Sequence, residues 1–497
     1  MGALLSTYNG MTSCKPISRC QTTESRVRES SDPLDRVVNG GYCVGCGVCA
    51  VANNSRVVEM RFDGCGRFGP VSMKNAPDHS TGARVCPFSD QALSEDALAA
   101  GTLRDCRIKD GKLGYYLSAY AGYVRDGQFR TQGSSGGLVS WIACELLQRG
   151  LADAVLHVKQ GSGGGQPLFC YGISRNRAEV MAGAKSKYYP VELSKVLNHV
   201  RASPGRYVIV GVPCFIKAVR LLASQEAVFQ NRIKFYVGIF CGHLKSTAFA
   251  EMCAWQCGVA PSELQAIDFR TKRPGHRASD YAVTVTGRRG GRMVTVTKPI
   301  AELFGSNWGF GLFKYKACDF CDDVVAETAD ISFGDAWLPE YESDSQGTNA
   351  VVVRSRLLDS ILAEAKQAGR VHLEPLSAQR VVESQAAGFR HRGDGLAYRL
   401  ALEDALARWH PNKRVASSSV HLSEKLRRIH DLRQELREAS HVAFARARQA
   451  ADFNEFLKVM RPLTKRYLRE YEPPLPYRAL GKVRRSVAAV CRRLGGR

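Results

Sequence analysis

At 497 residues the chain is long enough for two or three domains and a sizeable core. Apolar residues make up 44% of it and the mean hydropathy is −0.22. No run approaches the roughly eighteen consecutive apolar residues of a membrane helix, so no membrane span is expected. The net charge of +23 is uneven, with 22 Lys/Arg against 10 Asp/Glu in residues 401–497. Such an excess suits an acidic partner, nucleic acid or an anionic membrane, or simply a solvated helical face. No aromatic-rich recognition motif accompanies the charge, which favours the solvated face over nucleic acid. Seventeen cysteines is a high and odd count. The start MGALLST lacks a basic region followed by an apolar core, so a secreted disulfide framework is a poor explanation and metal ligation a good one. A cytoplasmic protein is expected. Gly2 and Ser6 match the loose acylation pattern M-G-x-x-x-S, which is common by chance.

In chain order, residues 1–38 are polar and read as a disordered leader that includes Cys14 and Cys20. Residues 39–90 carry Cys43-Val-Gly-Cys46-Gly-Val-Cys49 and, far downstream, Cys86-Pro87. A C-x2-C-x2-C triplet with a remote Cys-Pro is the ligand set of a ferredoxin-type 4Fe–4S cube. A two-cluster ferredoxin would continue with a cysteine and a proline where Asn53 and Asn54 stand. One cluster is therefore expected in a ferredoxin-like module, on Cys43, Cys46, Cys49 and Cys86. Cys65 competes as the fourth ligand, but it lies between Gly64 and Gly66 in a turn after a strand predicted at 57–62. A zinc knuckle also uses C-x2-C pairs, although zinc sites rarely need three cysteines at this tight period.

Residues 91–115 read as a helix and a connector. From about 116, strands alternate with helices, so 91–390 is expected to be an α/β domain with a mixed, mostly parallel sheet. Strands are predicted at 152–158, 207–212, 233–240 and 350–354, with helices at 138–149 and 357–368. A hairpin is predicted from 281–286 and 293–297, around Arg288-Arg-Gly-Gly-Arg292. Residues 391–497 read as a basic helical extension, broken by Pro473-Pro474. There is no internal repeat.

Cys214 and Cys241 each follow a buried strand, and in an open α/β sheet such ends share the edge where ligands collect. Cys318-Asp-Phe-Cys321 adds a C-x2-C pair, so the four could form a second thiolate site; a small zinc site, or buried core thiols, would also fit. Cys253 and Cys257, four apart on one helical face, read as core. Ser135-Gly136-Gly137 before a helix is a plausible phosphate cradle, through free N–H groups and the positive helix end, though it also serves as an ordinary turn. Gly161-Ser-Gly-Gly-Gly165 is rejected as a dinucleotide fingerprint, because no helix follows it.

Several of these stretches together resemble the β-subunit family of coenzyme F420 hydrogenases and dehydrogenases. They are Gly133-Ser-Ser-Gly-Gly137, Ala184-Lys-Ser-Lys187-Tyr188-Tyr, Gly211-Val-Pro-Cys214, Phe240-Cys241, Cys318-Asp-Phe-Cys321 and Ala329-Asp-Ile-Ser-Phe-Gly-Asp335-Ala-Trp337. The resemblance covers roughly residues 40–390, and the family's relatives include the plant 7-hydroxymethyl chlorophyll a reductase. It implies FAD and one or two 4Fe–4S clusters. Ser135, Gly136 and Gly137 would contact FAD, with Lys187 near its phosphates or ring. Cys214, Cys241, Cys318 and Cys321 would hold the cluster nearest the flavin. Asp335 falls in a family signature without an assigned role, and Ser134 stands where the family has threonine. The expected function is that of an iron–sulfur flavoprotein oxidoreductase, passing electrons between clusters, FAD and a hydride-exchanging small molecule, with coenzyme F420 a candidate. A redox partner, either a ferredoxin-like protein or a hydrogenase or dehydrogenase subunit, would complete the chain. Alternative readings are a non-catalytic electron-transfer subunit and a zinc-stabilised nucleic-acid binder.

Overall fold

The computed structural model describes residues 32–472 apart from 53–57, 73–79, 107 and 162–166. Gly2, Ser6, Cys14, Cys20, Asn53, Asn54, most of the glycine run at 161–165 and Pro473-Pro474 lie outside the described residues. A helix, Pro33–Asn39, forms at the end of the stretch expected to be disordered. Asp32 caps it by accepting from the Leu34 and Asp35 amides, Pro33 sits in its first turn, and Leu34 and Val37 are buried.

The strands follow in order. β1 (Val58–Phe62) and β2 (Phe68–Ser72) form a hairpin, as do β3 (Ile108–Asp110) and β4 (Gly114–Tyr116). Then come β5 (Ser118–Val124), β6 (Ala154–Gln160), β7 (Phe169–Ser174), β8 (Tyr207–Gly211) and β9 (Ile233–Ile239). β10 (Leu264–Thr271), β11 (Ala282–Arg289) and β12 (Arg292–Pro299) make an antiparallel three-stranded sheet whose tip is Gly290-Gly291. β13 (Ile331–Asp335), β14 (Asn349–Val353) and β15 (Val371–Pro375) complete the set.

The central sheet has eight strands in the order β15-β5-β14-β13-β9-β8-β6-β7. Its middle is parallel, β6 with β8, β8 with β9 and β9 with β13, and its flanks are antiparallel. Fully buried strands such as β8 (Tyr-Val-Ile-Val-Gly) suit that middle, where both faces are covered. One face packs on helices Leu138–Gln148 and Arg356–Gln367. The other packs on helix Pro213–Gln225 and the cysteine triplet segment. β5, β7, β10 and β15 add strands that the sequence does not announce; their burial alternates imperfectly, as in residues 119–122 and 172–173.

Residues 391–472 do not stand apart from this unit. Helices Glu424–Ala450 and Phe453–Arg469 share an apolar core with the three-stranded sheet and helix Thr247–Gln256. Phe313 stacks on Phe456, packs edge-on against Phe444, and donates its amide to Ser440 Oγ at 2.9 Å. Cys253 and Cys257 are buried in that core. No helix among the described residues is long and apolar enough to cross a membrane.

Candidate functional site

The first cysteine group forms around one cavity. Cys43, Cys46, Cys49 and Cys86 line it with Leu34, Val37, Met60 and Pro70. Cys65 is buried elsewhere, its amide donating to Asp63 Oδ1 at 2.9 Å. Gly45 and Gly47 have φ of +68° and +78°, which brings backbone N–H groups round toward sulfur. A Cβ on Gly45 would lie 2.6 Å from the Phe68 carbonyl oxygen, and one on Gly47 would lie 2.5 Å from Glu192 Oε2, so the loop admits glycine alone. The Gly45 amide donates to Cys43 Sγ at 3.3 Å. Amides of Val48, Ala50, Phe88 and Ser89 act likewise on Cys46, Cys49 and Cys86. Burial nevertheless pushes the Cys43 thiol up to about 12 and raises those of Cys46, Cys49 and Cys86.

The second group stands at the carboxyl edge of the parallel strands. Cys214 lies in the first turn of the helix that leaves β8, started by Pro213, and Cys241 follows β9. Cys318 and Cys321 come from the 3-10 turn Lys316–Phe320 and its cap. The four act on one another electrostatically, and burial pushes Cys241 up to about 12 and Cys318 up to about 11. The Leu244 amide donates to Cys318 Sγ at 3.2 Å, and the Cys321 thiol donates to the Asp323 carbonyl at 3.4 Å. Between Cys318 and Cys321, Asp319 is 1% exposed and paired with Lys314 and Arg437. Burial works against its charge, but Lys314 and Arg437 hold the carboxyl well below the usual range. Cys214 and Cys46 act on each other and both act on the buried Tyr171 ring, so the two groups are neighbours across one core. Among the described residues no three His, Cys, Asp or Glu side chains are disposed to hold a single metal ion. The thiols of the first group surround a space and each takes an amide donor, which suits a larger body such as a 4Fe–4S cube; in the second group the amide donor is at Cys318.

The Ser135-Gly136-Gly137 loop differs from an open cradle. Ser135 Oγ donates to the Thr348 carbonyl at 3.0 Å, and the Leu138 amide at the helix start donates to Asn349 Oδ1 at 3.2 Å. A Cβ on Gly136 would lie 2.6 Å from the Gly122 oxygen and 2.7 Å from Asn349 Oδ1, so this glycine answers to packing against β5 and β14. The positive character comes instead from side chains. Lys272 Nζ donates to the carbonyls of Arg130, of Ser135 at 3.1 Å and of Gln346 at 2.6 Å. Arg130 reaches the Gly347 carbonyl, and Arg270 reaches the Ser134 carbonyl at 3.3 Å while pairing with Asp335 at 3.1 Å. Asp335 thus holds Arg270 in place. Ser134 Oγ accepts the Ser186 amide at 2.8 Å, which ties the loop to Lys185 and Lys187. Lys185 pairs with Asp268, whereas Lys187 turns its Nζ onto the carbonyls of Ala184 and Lys185. Arg130, Lys185, Lys187, Arg270 and Lys272 therefore cluster at one loop, a fit for an anionic group such as a pyrophosphate. Of these, Arg130, Arg270 and Lys272 carry no sequence signal, since no local spacing links Arg130 to a segment 140 residues away.

An aromatic patch fills the space beside this loop. Tyr188, Phe249, Phe269 and Trp308 pack ring to ring, and His243, two residues after Cys241, meets Trp308 edge-on at 4.5 Å. Lys245 lies over the Phe249 and Trp308 rings, and burial pushes its amine down to about 7. Gly242 is exposed, and a Cβ there would meet nothing within 4 Å, so the edge beside Cys241 is open.

A sheet with a parallel centre whose carboxyl edge gathers thiols, aromatic rings and a cation-rich loop is the layout of an α/β ligand-binding protein. The family model for the N-terminal part of the coenzyme F420 hydrogenase/dehydrogenase beta subunit matches residues 119–198. The model for its C terminus matches 205–379, and the two together cover just over half of the chain. The chain belongs to the coenzyme F420 hydrogenase/dehydrogenase beta subunit family. The beta subunit of coenzyme F420 hydrogenase from Methanothermobacter thermautotrophicus is 21% identical over 269 residues, 53% of this chain and 86% of that protein. The coenzyme F420-dependent sulfite reductase of Methanocaldococcus jannaschii is 21% identical over 369 residues, 70% of this chain, and the chain spans 50% of that longer protein. A chain of the F420-reducing NiFe hydrogenase complex from Methanosarcina barkeri is matched over 99% of its length by 61% of this one, at 17% identity and a TM-score of 0.46.

Proposed function

We propose that the protein is an iron–sulfur flavoprotein oxidoreductase. Cys43, Cys46, Cys49 and Cys86 would hold one 4Fe–4S cluster in a ferredoxin-like module, and Cys214, Cys241, Cys318 and Cys321 a second. FAD would lie by Ser135, Gly136, Gly137 and Lys187. The observation that carries this reading is the gathering of two four-thiol groups that meet in one core through Cys46 and Cys214, the second at the carboxyl edge of the same sheet that carries a cation-rich loop. Burial disfavours bare thiolates at both groups, and iron held there would supply the positive charge that favours the thiolate form. Bound FAD would supply the exchange between a hydride pair and single electrons.

The residues of the chain have separate tasks in this scheme. Arg130, Lys185, Lys187, Arg270 and Lys272 neutralise phosphate oxygens. Tyr188, Phe249, Phe269 and Trp308 would keep water from a bound ring, and the open side at Gly242 would admit a small hydride-exchanging substrate. Coenzyme F420 is the leading candidate, because family relatives carry it in their names. A hydrogenase or dehydrogenase subunit or a ferredoxin-like protein would serve as electron partner. Anaerobic purification followed by iron, sulfide and flavin assays tests the reading. About eight irons and one flavin per chain are expected from two cubes and one FAD, and a colourless protein free of both would refute it.

A further inference from the structure

Arg392 ends the helix Ala386–Arg392, beyond the residues matched by the family models. It is 4% exposed. Its Nη2 donates to the carbonyls of Cys241, at 2.7 Å, and Gly242, at 2.9 Å. Its other two nitrogens, Nε and Nη1, are buried without an oxygen or nitrogen acceptor among the described residues, and the side chain that hydrogen-bonds the guanidinium is Cys321. Buried charged donors are rarely left unpaired, because a cation taken out of water needs acceptors. The groups that act on this guanidinium are thiols. Burial opposes its charge, and Cys321 and Cys241, with Cys318, outweigh burial. The carbonyl bonds hold one edge of the planar fork at the Cys241 loop, beside the thiol group.

We propose that Arg392 is a positioning residue for a cluster on Cys214, Cys241, Cys318 and Cys321, raising its reduction potential through a fixed positive charge and hydrogen bonds toward sulfur. The inference rests on the cluster assignment made above. Reduction adds one electron and makes the thiolate-bound cube one unit more negative, so a buried cation at its rim favours the reduced form. The effect is selective, since the bonds of Arg392 run to the Cys241 loop and the thiols that act on it all belong to the second group.

The test compares Arg392→Gln and Arg392→Lys in the full chain, reading iron and sulfide content and the midpoint potentials of both clusters by electron paramagnetic resonance. Gln keeps donors without charge, whereas Lys keeps charge. Arg392→Gln should disfavour reduction of the second cluster at least tenfold, a 59 mV fall in midpoint for one electron. Arg392→Lys should stay near the wild type, and the first cluster should not move in either. Loss of the second cluster's iron in the Gln variant alone would also support the role of the charge. A loaded Gln variant with the wild-type midpoint, equal shifts in both variants, or loss of iron in both would each overturn the assignment. Wild-type protein with only one cluster's iron would instead refute the cluster reading, before any variant is made.

Discussion

Arg414 forks onto Glu327 across 87 residues of chain, with Nη1 to Oε2 at 2.7 Å and Nη2 to Oε1 at 2.8 Å. The same guanidinium lies 3.3 Å from Asp322, which follows Cys321, and 3.3 Å from Asp96 in the helix Glu95–Thr102. Lys413 next to it stands over the Phe88 ring, and Trp409 packs on Tyr42. The segment between helices Asp394–Ala405 and Glu424–Ala450 is thus clipped over both cysteine groups.

Truncation after residue 400 should therefore destroy the fold rather than spare it. It would strip Arg414 from Glu327, Arg437 from Asp319, and Phe444, Phe456 and Met460 from a shared core. Arg414→Ala alone should cost on the order of 3 kcal/mol, the usual result of leaving buried carboxylates without their cation. Urea unfolding of the full-length variant measures this. A soluble truncation with full iron and flavin would contradict it.

Cys86→Ser should abolish the spectrum of the N-terminal cluster, and Cys65→Ser should leave it intact. Cys86 faces the cavity shared by Cys43, Cys46 and Cys49, whereas Cys65 does not line it. Electron paramagnetic resonance of the reduced variants decides between them, and the reverse pattern would exchange the two ligands.

Replacing any one of Cys214, Cys241, Cys318 and Cys321 with Ser should remove about four irons while the N-terminal cluster persists. Iron analysis with the spectrum of the remaining cluster is the measurement. Unchanged iron in all four variants would break the second site.

Flavin retention should weaken as pH rises from about 7, where burial and then Arg130 have pushed the Lys272 amine down, and again past about 8, through Lys187. Burial pushes its amine down to about 8, with Asp268 opposing and Lys185 reinforcing the shift. Between pH 8 and the ordinary lysine value the empty folded site holds the neutral amine while the unfolded chain holds the ammonium. The unfolded state then binds more protons, so this group's contribution to stability rises with pH across the window and is lost as pH falls through about 8. An anionic ligand prefers the ammonium, so above pH 8 binding must take up a proton and affinity drops by up to about tenfold per unit. Lys187→Met should bind more weakly at pH 7 and show a flatter profile. Equilibrium dialysis at several pH values checks this, and identical profiles for both proteins would exclude Lys187 from the site. Gly136→Asp is a poor substitute, because its side chain would collide with Gly122 and Asn349 whether or not a phosphate binds.

What the sequence determined by itself was local. The C-x2-C-x2-C period with its intervening glycines dictates a loop that turns amides and sulfurs inward, because sterics over a few residues leave little choice. Alternation of buried strands and amphipathic helices likewise announced an α/β sheet, and two cysteines following consecutive strands announced a shared edge. Only the tertiary structure decided which cations surround the Ser-Gly-Gly loop. Arg130, Arg270 and Lys272 meet there from segments 140 residues apart, held by backbone carbonyls rather than by any motif. Tertiary packing also decided that Gly136 makes room for a neighbouring strand, and that the helices beyond residue 400 close the core. Their basic residues look like a solvated face when read in line. In the fold, Arg437 of the long helix and Arg414 of the segment before it turn inward, because Asp319, Asp322 and Glu327 lie buried beneath them and a buried carboxylate must find its cation.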